Sequence, residues 1–450
     1  MNLFENETHQ NYLRYHIYPK QGLLNDPNGL CYFNGEYHVF YQLNEEKTDH
    51  SVKAWGHATS KDLVHFERQE VALRPGKNDY DSGGIFSGSA VVHHNQLYLF
   101  YTGVIIENGE ELEAYQCLAT SKDGRNFKKH GPLFENPKDY HIFHVRDPKV
   151  WLGKDQKWHM VIGAQLEKIA QGDIIHYQSD DLLNWEFTGS IFEDNHENLG
   201  FMYECPDLIP FDDQDVLVFS PQGITNERYR FQNNYHSGYF VGQFNYNSSK
   251  FEVHSDFEEL DYGFEYYAPQ SFSHDGNIIQ YGWMGMMPTE KEQQIPSIQD
   301  NWVHNLTLPR KLTLKGQHLY QTPLKVLDAQ FEKQETFSKT QTVTSKAMKL
   351  AFEPSSEFEL NVFNHLNISY ESGILTLTRD GWTEATKNEV RRLKVSDIDN
   401  VDIYLDYSTV EIFINKGEYT MSGHYFGQQS DIITVTKGDF EVACCYYTNS

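Results

Sequence analysis

Hydrophobic and polar positions in this chain alternate in short runs, and helical periodicity is scarce. The clearest run is VDIYLDYSTVEIFINKG, Val401 to Gly417, which puts Val410, Ile412 and Ile414 on one face. Period two marks a strand with one buried face, and Asn415-Lys416-Gly417 reads as a hairpin turn. Earlier, AWGHAT from Ala54, QCLAT from Gln116 and IIHYQ from Ile174 are also β-rich. Each leads into one pattern: SKDLVHF from Ser60, SKDGRNF from Ser121 and SDDLLNW from Ser179. The pattern is Ser, any residue, Asp, two variable residues, His or Asn, then an aromatic, and reads as an Asp-led turn between strands. The Ser-to-Ser spacings are 61 and 58. A period near 60 with several short strands per unit predicts propeller blades.

A second series lies upstream of each marker. Asp26 precedes Ser60 by 34 residues, Ser87 precedes Ser121 by 34, and Asp147 precedes Ser179 by 32. The same step reaches Glu204 and then Asp261, which gives five positions and implies five blades. Innermost strands of a propeller converge on its axis, so residues of one phase form a ring. The expected fold is all-β: a five-bladed β-propeller over 1–318, a linker over 319–332, and a C-terminal β-sandwich over 333–450. The propeller should close near LTLPRKLTL (Leu306 to Leu314), with a connector beginning in KGQHLYQTP (Lys315 to Pro323). The sandwich carries no catalytic constellation and is expected to cover a propeller face.

Composition narrows the function. Lys and Arg number 37 against 64 Asp and Glu, a net charge of −27, so nucleic acid and anionic membranes are poor partners. Aromatics at 14% suit packed β-structure and sugar-stacking surfaces. No run of about 18 apolar residues is present to span a membrane. The start, MNLFENETHQNYLRYHIYPK, has no apolar leader core, so a cytoplasmic protein is expected. The five cysteines form no C-x-x-C pair and read as reduced thiols. Neither D-x-D-x-D-G nor H-E-x-x-H occurs, and neither a metal nor another cofactor is called for.

Three acidic motifs sit at the ring positions. NDPNG (Asn25 to Gly29) is turn chemistry in itself; at a strand mouth on the axis it would fix the Asp26 carboxylate for attack. In HVRDP (His144 to Pro148), Arg146 could form a surface pair or hold Asp147 ionised for sugar hydroxyls. In YECPD (Tyr203 to Asp207), Glu204 stands among apolar neighbours, as suits a general acid, although a buried hydrogen-bonded Glu is the plainer alternative.

Together these motifs resemble glycoside hydrolase family 32, and the likeness covers nearly the whole chain. NDPNG resembles the family's nucleophile motif, RDP at Arg146 its transition-state-stabilising motif, and EC at Glu204 its acid/base motif. FYQ at Phe40, WGH at Trp55, FSG at Phe86, YGW at Tyr281, LPR at Leu308 and DYSTVEIFINKG at Asp406 also resemble family signatures. The resemblance implies a retaining β-fructofuranosidase in which Asp26, Asp147 and Glu204 are catalytic. Asn25, Gln42, Trp55, Phe86, Ser87, Arg146 and Trp283 would line the fructose subsite. The partner is a small sugar, sucrose or, for a cytoplasmic member, sucrose 6-phosphate. Phosphate contacts are sought at Arg228 and Arg230 in NERYRFQ and at His50 and Lys53. A fructan exohydrolase or fructosyltransferase would share these motifs, and a non-catalytic sugar-binding propeller is the reading from another class.

Overall fold

The structure, a computed structural model, describes residues 11–448 apart from 138–139, 141, 167–170, 194–197 and 428–429. The first ten residues, part of the segment read above as lacking a leader, fall outside that range. Among the described residues, seven sheets, antiparallel but for one short pairing, account for most of the chain, with short helical turns such as Thr289–Glu292 and Lys325–Asp328. Among the described residues no helix is long and apolar enough to cross a membrane.

The first five sheets each begin with a strand that lies innermost: β1 (Gly22–Phe33), β2 (Gly84–His93), β3 (Ile142–Leu152), β4 (Met202–Pro210) and β5 (Tyr267–His274). Successive strands then step outward through hairpins. The inner strands touch in cyclic order, β1 to β2, β2 to β3, and on through β5 back to β1. The circle is tied where residues 302–306 return. Trp302–Val303 pairs in parallel with Gly22–Leu23, and Asn305–Leu306 pairs with Trp283–Met284 of the fifth sheet.

The repeated marker is a self-bonded turn. Ser60 Oγ accepts the amide of Leu63, while Asp62 Oδ1 accepts the amides of Val64 and His65 at 2.9 and 2.8 Å. The sixth position bonds the second carboxylate oxygen: His65 on Asp62, Asn126 on Asp123 and Asn184 on Asp181, each at 2.7 Å. One side chain thus satisfies the turn's amides, and Ser-x-Asp-x-x-His/Asn recurs because this turn needs those groups.

The remaining strands form two six-stranded sheets sharing one apolar core, to which Leu350, Ile403 and Ile412 contribute from one sheet and Leu360, Ile368 and Leu375 from the other. Val410, Ile412 and Ile414 all point into it, as the alternation requires. Asn415, Lys416 and Gly417 turn with φ of 53°, 58° and 85°. The connector differs from expectation. His318–Pro323 is the outer strand of the fifth sheet, paired with Arg310–Lys315, and Phe331–Phe337 already belongs to the later sheets. Alternation in HLYQTP is weak, and only its hydrogen bonds to the neighbouring strand mark it as a strand.

Asp261 also differs. Even spacing assigns it to the ring, but it precedes β5 and faces the later sheets. Its Oδ2 accepts from Arg310 at 3.2 Å, Thr420 at 2.9 Å and Ser422 at 2.6 Å. Arg310 also bonds Glu411 at 2.6 Å, and all three charged groups are buried. Breaking such a network strands a buried charge, at a cost of about 3–5 kcal/mol. Gly263 lets the loop lie against the strand Tyr419–His424; a Cβ there would sit 2.1 Å from backbone atoms of Ser422. Nearby, His16 is buried between Asp406 and Glu411, whose bonds outweigh desolvation and hold its pKa up to about 9.

Candidate active site

All five inner strands carry a bulge at the same level. It takes in Asn25-Asp26, Phe86-Ser87, Asp147-Pro148, Cys205-Pro206 and Ala268-Pro269. A bulge leaves residues unpaired and re-aims their side chains. Asp147, Cys205 and Ala268 accordingly have φ of 71°, 48° and 48°. The pocket where the strands converge, about 460 Å³, is lined by Asp26, Asp147 and Glu204 together.

Each carboxylate is fixed by a different set of donors. Asp26 Oδ2 accepts from Ser87 Oγ, and Oδ1 accepts from Asn25 Nδ2 at 3.1 Å. Asn25 Nδ2 also donates to Gln42 Oε1, which accepts from Lys53 Nζ at 3.3 Å. Lys53 thereby fixes which way the Gln42 amide points, and Gln42 fixes Asn25. Asp147 Oδ2 accepts the Cys205 amide at 3.0 Å, and the Asp147 amide donates to Thr102. Cys205 Sγ lies 3.5 Å from Asp147 and 3.7 Å from Asp26. Glu204, expected among apolar neighbours, is instead bound by Arg146 Nε at 2.8 Å, Gln222 Nε2 at 2.5 Å and Tyr267 OH at 2.6 Å. Adjacent side chains in a strand alternate faces, so Tyr203, which packs into the core, does not describe its surroundings.

Burial, then the charge of Glu204, push the Asp147 pKa up to about 7, against the pull of Arg146. Burial and Glu204 also hold the Tyr267 hydroxyl well above its usual range, so it remains a donor. The sign of the Asp147 shift sets a stability prediction. A carboxyl whose folded pKa is raised contributes full stability below the unfolded carboxyl range and loses it as pH rises through about 7. Asp147→Asn, neutral throughout, is expected to be more stable than the parent at pH 8, by up to about 4 kcal/mol, with the gap closing near pH 4. Urea unfolding at both pH values checks this; no difference at pH 8 counts against it.

Of the residues proposed for a sugar, Asn25, Gln42, Phe86, Ser87, Arg146 and Trp283 line the pocket. The buried Oδ1 of Asn25 and Nε1 of Trp283 have no protein partner among the described residues. Trp55 does not reach the pocket. It is fully buried between the first and second sheets, with its indole N–H donated to the Phe86 carbonyl at 3.0 Å. Gly29 beside it lacks the Cβ that would press on the ring, so Trp55 packs closely under the first inner strand and supports the site from behind.

Of the four proposed phosphate contacts, His50 and Lys53 line the pocket. Lys53 donates to His50 Nδ1 at 3.3 Å, and His50 Nε2 meets Glu292 at 3.1 Å. Arg228 and Arg230 lie outside it: Arg228 is exposed over Tyr229, and Arg230 stacks on Phe231 and bonds the Phe257 carbonyl. The sequence reading missed Gln222, Tyr267 and Glu292. The YGW motif at Tyr281 gave a signal for Tyr267, since Tyr267 is paired directly with Trp283. Among the described residues no group of three or more His, Cys, Asp or Glu is arranged to hold a metal ion.

Three fixed acids with opposed surroundings, amide and hydroxyl donors and a tryptophan wall make a site suited to a polyhydroxylated ring. Residues 16–323 match the model of the glycosyl hydrolases family 32 N-terminal domain. Sucrose-6-phosphate hydrolase of Bacillus subtilis is 41% identical over 92% of this chain and 88% of its own length. The hydrolase of that name from Klebsiella pneumoniae is 39% identical, with coverages of 92% and 88%. Among solved structures, sucrose-6-phosphate hydrolase from Lactobacillus gasseri superposes with a TM-score of 0.89 at 30% identity, covering 98% of this chain and 94% of that one. A mutant GH32 β-fructofuranosidase of Bombyx mori in complex with sucrose gives 0.85 at 29% identity, with the same coverages. The chain belongs to glycosyl hydrolase family 32.

Proposed function

We propose that the protein is a retaining β-fructofuranosidase that hydrolyses sucrose 6-phosphate, and sucrose with it, by double displacement. The single observation that carries this reading is the convergence of Asp26, Asp147 and Glu204 on one pocket from three separate inner strands. Asp26, held at both oxygens, attacks the anomeric C2 of the fructosyl unit. Glu204 protonates the departing glycosidic oxygen, so the C2–O bond breaks as the Asp26–C2 ester forms. Water, deprotonated by Glu204, then opens the ester and frees fructose with its configuration retained. Asp147, hydrogen-bonded to fructose hydroxyls, stabilises the positive charge that develops on the ring.

The ring of five sheets reads as a five-bladed β-propeller ending at Pro323, and the two later sheets, from Phe331, as a β-sandwich clamped to it through Arg310 and His16. The 6-phosphate preference rests on the names of the relatives, and a phosphorylated sugar, which does not cross a bilayer unaided, supports a cytoplasmic enzyme. Release of reducing sugar from both substrates tests the reading. The expected result is a higher kcat/KM for sucrose 6-phosphate; equal values would remove the phosphate preference, and release from neither would remove the enzyme.

A further inference from the structure

A second cavity, about 390 Å³, adjoins the sugar pocket and shares Asn234, Met286 and Met287 with it as a common wall. Residues 286–291, from the fifth sheet's long connection, form one side. The other side comes from the later sheets, through Thr383, Glu389 and Arg391. It lies on the seam between the two halves of the molecule.

Its cations are not equally paired. Arg379 binds Glu265 through both terminal nitrogens, at 2.6 and 2.5 Å, and Glu389 through Nε at 2.9 Å. Lys291 Nζ binds Glu389 at 2.6 Å and reaches Glu265 at 3.5 Å. Two carboxylates thus serve two cations, and Arg391 is a third. Its Nε donates to Asn233 Oδ1 at 2.7 Å and its Nη1 to the Val390 carbonyl at 3.0 Å, both neutral acceptors. The guanidinium lies 4.8 Å from the Phe264 ring centre, which fixes its plane. Burial and the neighbouring Arg379 pull its pKa down to about 10, against the pull of Glu265, Glu389 and Glu259. Among the described residues none of these carboxylates bonds it directly, which leaves room for an anion as a partner. The one further carboxylate on the cavity wall, Glu290, is exposed to water.

The sugar pocket is more strongly acidic. Asp26, Glu111, Asp147, Glu204 and Glu292 line it, against Arg146 and Lys53, and Arg146 is already bound to Glu204. His50, pulled down by burial, is engaged with Glu292. A phosphate dianion there would meet more negative charge than positive, so it needs a seat outside the ring of acids.

We propose that the second cavity seats the phosphoryl group of a phosphorylated substrate, with Arg391 as its main contact. The leaving sugar then lies past Asn234 and Met286, and the later sheets serve in substrate choice. Arg suits this role because its free edge can meet two phosphate oxygens at once. The inference rests on the fructofuranosidase reading above.

The test compares kcat/KM for sucrose 6-phosphate and for sucrose in the full-length protein and in Arg391→Met and Arg391→Lys. The ratio of the two constants should fall roughly 10- to 100-fold in Arg391→Met, with Arg391→Lys in between. Inorganic phosphate should compete with sucrose 6-phosphate in the parent, and much less in Arg391→Met. A parent that prefers the phosphorylated sugar, with the ratio unchanged in Arg391→Met, overturns the assignment. So does an equal loss on both substrates, which would give Arg391 a structural role. Equal constants in the parent overturn it while leaving the fructofuranosidase standing, and a parent that cleaves neither sugar removes both.

Discussion

Asp26→Ala is expected to lower kcat on sucrose and on its 6-phosphate by about 10⁵-fold or more while leaving the protein folded. The carboxylate is partly exposed in a bulge of β1, and its partners Asn25 and Ser87 retain other bonds or water. Asn25 still meets Gln42, and the Ser87 hydroxyl opens onto the pocket. Alanine there costs little packing but removes the only group that forms the ester. No neighbour substitutes, because Asp147 is held by the Cys205 amide and Glu204 by Arg146, Gln222 and Tyr267. Single-turnover assays with a thermal melt of the variant check both halves of the expectation. Residual activity above about one part in a hundred, in a preparation free of parent enzyme, would show that another group attacks C2.

Glu204→Ala should behave differently. Loss of general acid catalysis costs about 10²–10⁴-fold on sucrose, whose leaving oxygen needs the proton. An aryl fructoside with an acidic phenol needs no such help, and its first step should survive much better. A fructosyl-enzyme should then accumulate, because the water that opens it has lost its base, and a burst of phenol should precede a slow steady state. Equal loss on both substrates would mean that Glu204 does not serve as the acid. The alanine also removes the carboxylate that Arg146 pairs with, so the melting point of the variant should be measured beside its kinetics.

The two halves of the molecule were legible in the sequence to different depths. The marker turns could be read because a single Asp satisfies the amides beside it, a local arrangement that any sequence window contains. The three acids could be read because bulges recur with the repeat, so a regular step lands near each one. The step fails at the fifth position, where β5 begins six residues beyond Asp261 and Tyr267 stands in the ring. There the chain first runs along the later sheets, a detour written in contacts with Thr420 and Ser422. Trp55 shows a second kind of failure: a motif marks a residue that matters, and pairing alone decides whether it touches the ligand or its support.

By itself, then, the order of residues determined the strand-rich architecture, the repeat and the positions at which acids were to be sought, because alternation, turn chemistry and spacing act over short distances along the chain. Only the tertiary structure decided which donors hold Glu204, why Asp147 is the acid pushed toward neutrality, and where an unpaired arginine faces a cavity. Those properties depend on burial and on charges brought close from strands dozens to hundreds of residues apart, and distance along the chain carries no information about distance in space once the sheets have closed into a ring.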